Sequence, residues 1–100
     1  MIKMSQDEFH EFVNQSEPSL VQFAANWCGP CKMLTKTLES MEQSQPLRVA
    51  KVDIDEEREL ARSFGIRSVP TMIIFKDGKE VKRTVGNKTQ NAIEDFMEVL

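Results

Sequence analysis

Residues Trp27-Cys28-Gly29-Pro30-Cys31-Lys32 hold the chain's only two cysteines and its only tryptophan, where an extended apolar run gives way to a helical pattern. No other stretch constrains the fold as tightly, because a strand must feed directly into a helix there. An α-helix rises about 1.5 Å per residue on a Cα radius of about 2.3 Å, which brings positions i and i+3 to about 5 Å, inside the span of a disulfide. Cys28 and Cys31 are thus spaced to close a bridge without moving the backbone.

The same helix makes the two sulfurs unequal. Leu34, Leu38 and Met41 follow Cys31 at helical spacing, so Cys31 heads the inward stripe. Cys28 stands before the first closed turn, where unpaired N–H groups and the positive end of the macrodipole favour an anion. Its thiolate is expected to form below the free-cysteine pKa of about 8.5. Gly29 lets backbone crowd the sulfur, and Pro30 falls in the first turn, where its missing N–H costs no helical bond. The expectation is an accessible, reactive Cys28 and a sheltered Cys31, a dithiol suited to exchange.

One hundred residues at 40% hydrophobic content make one domain, spanning 1–100, that buries a core without covalent staples. The bridge is therefore not needed for folding. A net charge of −3 with scattered Lys and Arg argues against a nucleic-acid surface. The opening residues include Lys3, Asp7 and Glu8 and resemble no signal peptide, and no apolar run is long enough to span a membrane, so the expected compartment is the cytoplasm. In that compartment a C-x-x-C is catalytic or metal-binding more often than stapling. Zinc wants four ligands, and beyond the cysteines the only histidine is His10, so no metal site is expected.

A short strand at Ile2 to Met4 precedes Ser5-Gln6-Asp7-Glu8, a capping box opening a helix with Phe9, Phe12 and Val13 inward and His10 turned to solvent. After Pro18, Leu20 to Ala25 reads as a strand covered on both faces and interrupted by Gln22. The helix opened by the cysteine motif is expected to run to about Gln43, followed by a strand from Leu47 to Ile54. Asp53 and Asp55 are expected to cap the next helix, with Glu56, Glu57 and Glu59 in its first turns, Leu60, Ala61 and Phe64 inward, and Gly65 at its end. Thr71 to Phe75 and Glu80 to Val85 form a hairpin through Asp77-Gly78. A last helix capped by Asn87 or Thr89 turns Ala92, Ile93, Phe96, Met97 and Leu100 to one side. Helical crossovers make the first part of the sheet parallel and the hairpin makes the last part antiparallel, giving an α/β fold with a mixed central sheet between helix layers.

The hexapeptide, with Val21-Gln22-Phe23-Ala24 before it and Met33 after it, resembles thioredoxins. So do Val49-Ala50-Lys51-Val52-Asp53, Gly65-Ile66-Arg67-Ser68-Val69-Pro70-Thr71, Phe75-Lys76-Asp77-Gly78 and Val85-Gly86, in family order over essentially the whole chain. The resemblance implies the thioredoxin fold, a five-stranded mixed sheet flanked by four helices, and a reductase of protein disulfides. It further implies that Cys28 attacks a substrate disulfide, that Cys31 resolves the mixed disulfide, and that a thioredoxin reductase returns the electrons with no cofactor bound to this chain. Val69-Pro70 is implied to be a cis peptide against the cysteines, and Trp27, Gly29, Pro30, Val69, Pro70 and Gly86 to receive a substrate chain. The protein is expected to act as a monomer, without nucleic acid or membrane.

Three positions depart from the family pattern. Gln22 stands where a buried aspartate is common, Ala24 where an aromatic is usual, and Lys36 where a proline kinks the active-site helix. In the family that this chain resembles, the buried carboxylate takes the proton of the resolving thiol with a lysine nearby, which Lys51 matches. A glutamine amide accepts no proton near neutral pH, so either water or Lys51 must help Cys31 lose its proton or resolution is slower here; the plain structural reading of Gln22 is a neutral, hydrogen-bonded filler. The competing reading is a non-catalytic binding subunit of a larger enzyme, a role that would survive loss of both cysteines. A glutaredoxin is disfavoured, since that family usually has tyrosine in its motif and this chain has none.

Overall fold

A computed structural model describes residues 1–98. The elements run β1 (Ile2–Lys3), α1 (Gln6–Val13), β2 (Ser19–Ala24), α2 (Gly29–Ser44), β3 (Val49–Asp53), α3 (Arg58–Ser63), β4 (Thr71–Lys76), β5 (Lys79–Val85) and α4 (Gln90–Met97). This is the expected order, and most bounds fall within about two residues of the expected ones. Leu100, placed on the last helix's apolar side, lies outside the described residues. The strands form one mixed sheet in the order β1-β3-β2-β4-β5. β1 and β2 flank β3 in parallel, while β4 pairs antiparallel with both β2 and β5.

Strand alternation divides the core between the two faces. Val21 and Phe23 of β2, Ala50 and Val52 of β3, and Ile73 and Phe75 of β4 pack with Phe9, Val13 and Leu60 from α1 and α3. Leu20, Val49, Met72 and Ile74 point the other way, onto Leu34, Leu38 and Met41 of α2 and Ile93 of α4. By the same alternation Gln22, Lys51 and Asp53 turn their side chains toward α2.

Two local expectations change. Asp53 does not cap α3: its Oδ1 accepts from the N–H groups of Asp55 and Glu56, closing a turn before the helix. Asp55 does not cap it either, since its carboxylate is engaged with Trp27. α3 starts only at Arg58, and its N-cap, Glu57, makes no side-chain cap bond and instead accepts from the Gln6 N–H across the fold. The preceding acids are spent on turn, tryptophan and helix α1, so the helix is shortened from its front. At the other end Gly65 takes the left-handed conformation, φ 64°, as a helix stop requires.

Candidate active site

The end of β2, the start of α2 and the loop before β4 meet at the same edge of the sheet. β2 ends at Ala24, and Cys28 is the N-cap of α2, with Pro30 in the first turn. Cys28 and Cys31 are joined as a disulfide with their Cα atoms 5.3 Å apart, the separation expected of i and i+3 on a helix. The backbone N–H of Cys31 donates to Cys28 Sγ at 3.1 Å, so a free helix-terminal donor points at that sulfur and at no other. Cys28 Sγ also lies 3.7 Å from the Val69 carbonyl oxygen.

The expected contrast in exposure is small: Cys28 is 5% exposed and Cys31 2%. Bonding turns the two sulfurs toward each other, and Ala24, Ala25, Ile54 and Val69 pack around them. The inequality lies in the hydrogen bond, which Cys28 receives as N-cap.

The Val69-Pro70 peptide is cis. Pro70 is buried, and its carbonyl accepts from the Gly86 N–H at 2.8 Å, tying the start of β4 to the residue after β5. Gly86 sits at φ 97°, a conformation open mainly to glycine. Gly29 and Pro30 are exposed beside the disulfide, and Trp27 is 70% exposed. The indole is held in that position by its Nε1–H, which donates to Asp55 Oδ2 at 2.9 Å.

Behind the disulfide, Gln22 is fully buried with both ends of its amide engaged. Nε2–H donates to the Cys31 carbonyl at 3.0 Å, and Oε1 accepts from the Thr35 hydroxyl at 2.9 Å. This is the neutral, hydrogen-bonded filler, fastened to the turn that carries Cys31. Lys51 is the register partner of Gln22, and Asp53 of Ala24. With Cys31, Lys32 and Thr35, Lys51 and Asp53 line a cleft of about 50 Å³. Residue reasoning passed over Asp53 and Asp55 as caps. Strand alternation after Val49 carried the signal for Asp53, which falls on the same face as Lys51, two residues away.

A thioredoxin family model matches residues 1–99. Thioredoxin of Chlamydia muridarum is 47% identical over 91 residues, covering 90% of this chain and 88% of the relative. A bifunctional thioredoxin reductase/thioredoxin of Mycobacterium leprae is 47% identical over 87 residues, 85% of this chain and 19% of that longer protein. Among solved structures, mitochondrial thioredoxin 3 of Saccharomyces cerevisiae in its oxidised form superposes with a TM-score of 0.87 at 30% identity, covering 100% of this chain and 95% of the other. A bonded cysteine pair at a helix mouth is the working part of a thiol-disulfide oxidoreductase that acts on proteins, and with a match along its whole described length the chain belongs to the thioredoxin family.

Proposed function

We propose that Cys28 is the attacking nucleophile and Cys31 the resolving thiol in the reduction of protein disulfides. The observation that carries this is the Cys31 N–H aimed at Cys28 Sγ, which stabilises a thiolate on the first sulfur. The Cys28 thiolate attacks one sulfur of the substrate disulfide and displaces the other, and Cys31 then attacks Cys28, releasing the second substrate thiol and closing the bridge. The binding-subunit alternative is not favoured, since it gives the paired cysteines nothing to do.

Trp27, Gly29, Pro30, Val69, Pro70 and Gly86 form the substrate surface. Exposed Trp27, Gly29 and Pro30 offer an apolar ledge, and the Val69 carbonyl beside Cys28 suits backbone pairing with an extended peptide. Pro70 and Gly86 support that loop from beneath through their mutual hydrogen bond. The chain acts as a single domain, 1–100, a monomer in the cytoplasm that serves electron transport and redox homeostasis. It binds no cofactor of its own, and a thioredoxin reductase returns its electrons. The reductase joined to thioredoxin in the Mycobacterium leprae relative supports that partner.

Insulin reduction tests the assignment. Cys28→Ser should abolish it, and Cys31→Ser should accumulate a substrate-linked mixed disulfide visible on a non-reducing gel. Reduction by the Cys28→Ser variant at the native rate would overturn the choice of nucleophile.

A further inference from the structure

The cleft behind the disulfide is lined by Cys31, Lys32 and Thr35 of α2 and by Lys51 and Asp53 of β3, along with Ala24, Ala25 and Asn26. A polar cavity needs roughly 10–15 Å³ and two to four polar partners to hold a water, and this one offers about 50 Å³. Asp53 is 5% exposed, and its Oδ1 is engaged by the Asp55 and Glu56 N–H groups. The other oxygen of Asp53 makes no hydrogen bond among the described residues and is not closed off from solvent, and Asp53 is one of the residues that line the cleft. Gln22, the polar side chain bonded to the turn of Cys31, has both amide ends occupied and accepts no proton near neutral pH. Lys32 and Lys51 carry donors only when charged.

We propose that Asp53, through water in this cleft, accepts the proton that Cys31 gives up as it resolves the mixed disulfide. The proposal rests on the roles assigned above to Cys28 and Cys31. As Cys31 Sγ–H passes its proton through water to the carboxylate, the sulfur's electron pair forms the bond to Cys28 Sγ. The bond between Cys28 and the substrate sulfur breaks, and that sulfur leaves as a thiolate that is protonated by solvent. The cysteine pair loses two electrons, the substrate disulfide gains two, and Asp53 returns its proton to solvent.

The charged groups around Asp53 are Lys51 on its own strand, Lys32 on α2, Asp55, Glu56 and Glu57 in the turn that follows, and Lys3 on β1. Lys3 is held above its ordinary pKa first by its hydrogen bond to Glu56 and in smaller part by the charge of Asp53. Asp53 therefore sits in a field of both signs, and its charge by itself acts on the thiols in a known direction. Removing a nearby negative charge favours the thiolate and speeds exchange at low pH. Removing a proton acceptor slows it, so the two roles predict opposite signs.

Rapid mixing of the reduced chain with a high concentration of a chromogenic aryl disulfide separates the steps. The first aryl thiol released reports attack by Cys28, and the second reports resolution by Cys31. Asp53→Asn keeps an oxygen for the Asp55 and Glu56 N–H groups while removing the base. At pH 6 the second release should slow about tenfold or more and the deficit should shrink toward pH 9, while the first release, which needs no proton acceptor, should be no slower than in the native chain. An equal or faster second release in Asp53→Asn at pH 6 would overturn the proposal. Should that variant not fold, the native chain decides: a free thiol of pKa about 8.5 loses a factor of about ten in thiolate per pH unit below it. A shallower fall of the second release supports the acceptor, and the full tenfold fall overturns it. A first release from Cys28→Ser would instead overturn the assignment of the nucleophile.

Discussion

Gln22 shows how far a single side chain can be read and where reading stops. Its place inside an apolar strand marks it as buried and hydrogen-bonded, because an unpaired amide in a core costs about 1–3 kcal/mol. Its partners, the Cys31 carbonyl and the Thr35 hydroxyl, come from a helix that follows in sequence but returns over the strand. Gln22→Asp shortens the side chain, removes the donor to Cys31 and buries an acid. Burial raises an acid's folded pKa, so the loss of stability begins as pH climbs past the unfolded value of about 3.9 and grows until the folded value is passed, by about 1.4 kcal/mol for each pKa unit of difference. Urea unfolding should therefore show a larger deficit against the native chain at pH 8 than at pH 5, and equal deficits would count against a buried ionisable site. Asp55 gives the opposite lesson. Nothing local distinguishes it from a helix cap, yet it holds the exposed indole of Trp27, 28 residues away.

At the scale of elements, local chemistry was sufficient wherever the partners were close in sequence. Ser5 and Glu8 form the full capping box: the Glu8 N–H donates to Ser5 Oγ, and Glu8 Oε1 accepts from the Ser5 N–H at 3.0 Å. The Ser5 backbone donor, and after it the hydroxyl, hold the Glu8 carboxyl below its usual pKa. A depressed folded pKa contributes stability that is present above the unfolded value and lost as pH falls through the folded one. Glu8→Ala should therefore lower the urea midpoint at pH 7 and converge with the native chain in acid, below both pKa values. A gap of constant size through the carboxylate range would contradict the box. The hairpin is equally local, with Asp77 at φ 54° and Gly78 at φ 77° matching the two-residue turn that Asp-Gly announces. α3 was misplaced because its acids bond to distant groups, and no local pattern separates an acid that caps from one that reaches across the sheet. Lys36 lies inside α2, which runs sixteen residues from Gly29 to Ser44.

For the molecule as a whole, the sheet keeps two apolar clusters apart, and their energetics should be separable. Ile73→Val on the α1 and α3 face should cost about 0.5–1.5 kcal/mol, and Leu38→Ala on the α2 face about 2–5 kcal/mol. The double variant should match their sum within about 0.5 kcal/mol in urea unfolding, since the two side chains belong to separate clusters. A larger discrepancy would mean that the sheet transmits repacking from one face to the other. The strand order also explains where the chemistry sits. Parallel β2 and β3 end at the same edge, and antiparallel β4 begins there, so the cysteine turn, the Val69-Pro70 loop and Asp53 converge.

Residue types and their spacing determined the elements, their order, the inward stripes and the placing of two cysteines one helical turn apart, because each follows from interactions within a few residues. Only the tertiary structure decided that Gln22 grips the Cys31 turn, that Asp55 anchors Trp27, and that Asp53 lines the same cleft as Cys31. Those pairings depend on strand register and on the return of α2 over β2, which bring together groups that no local interaction relates.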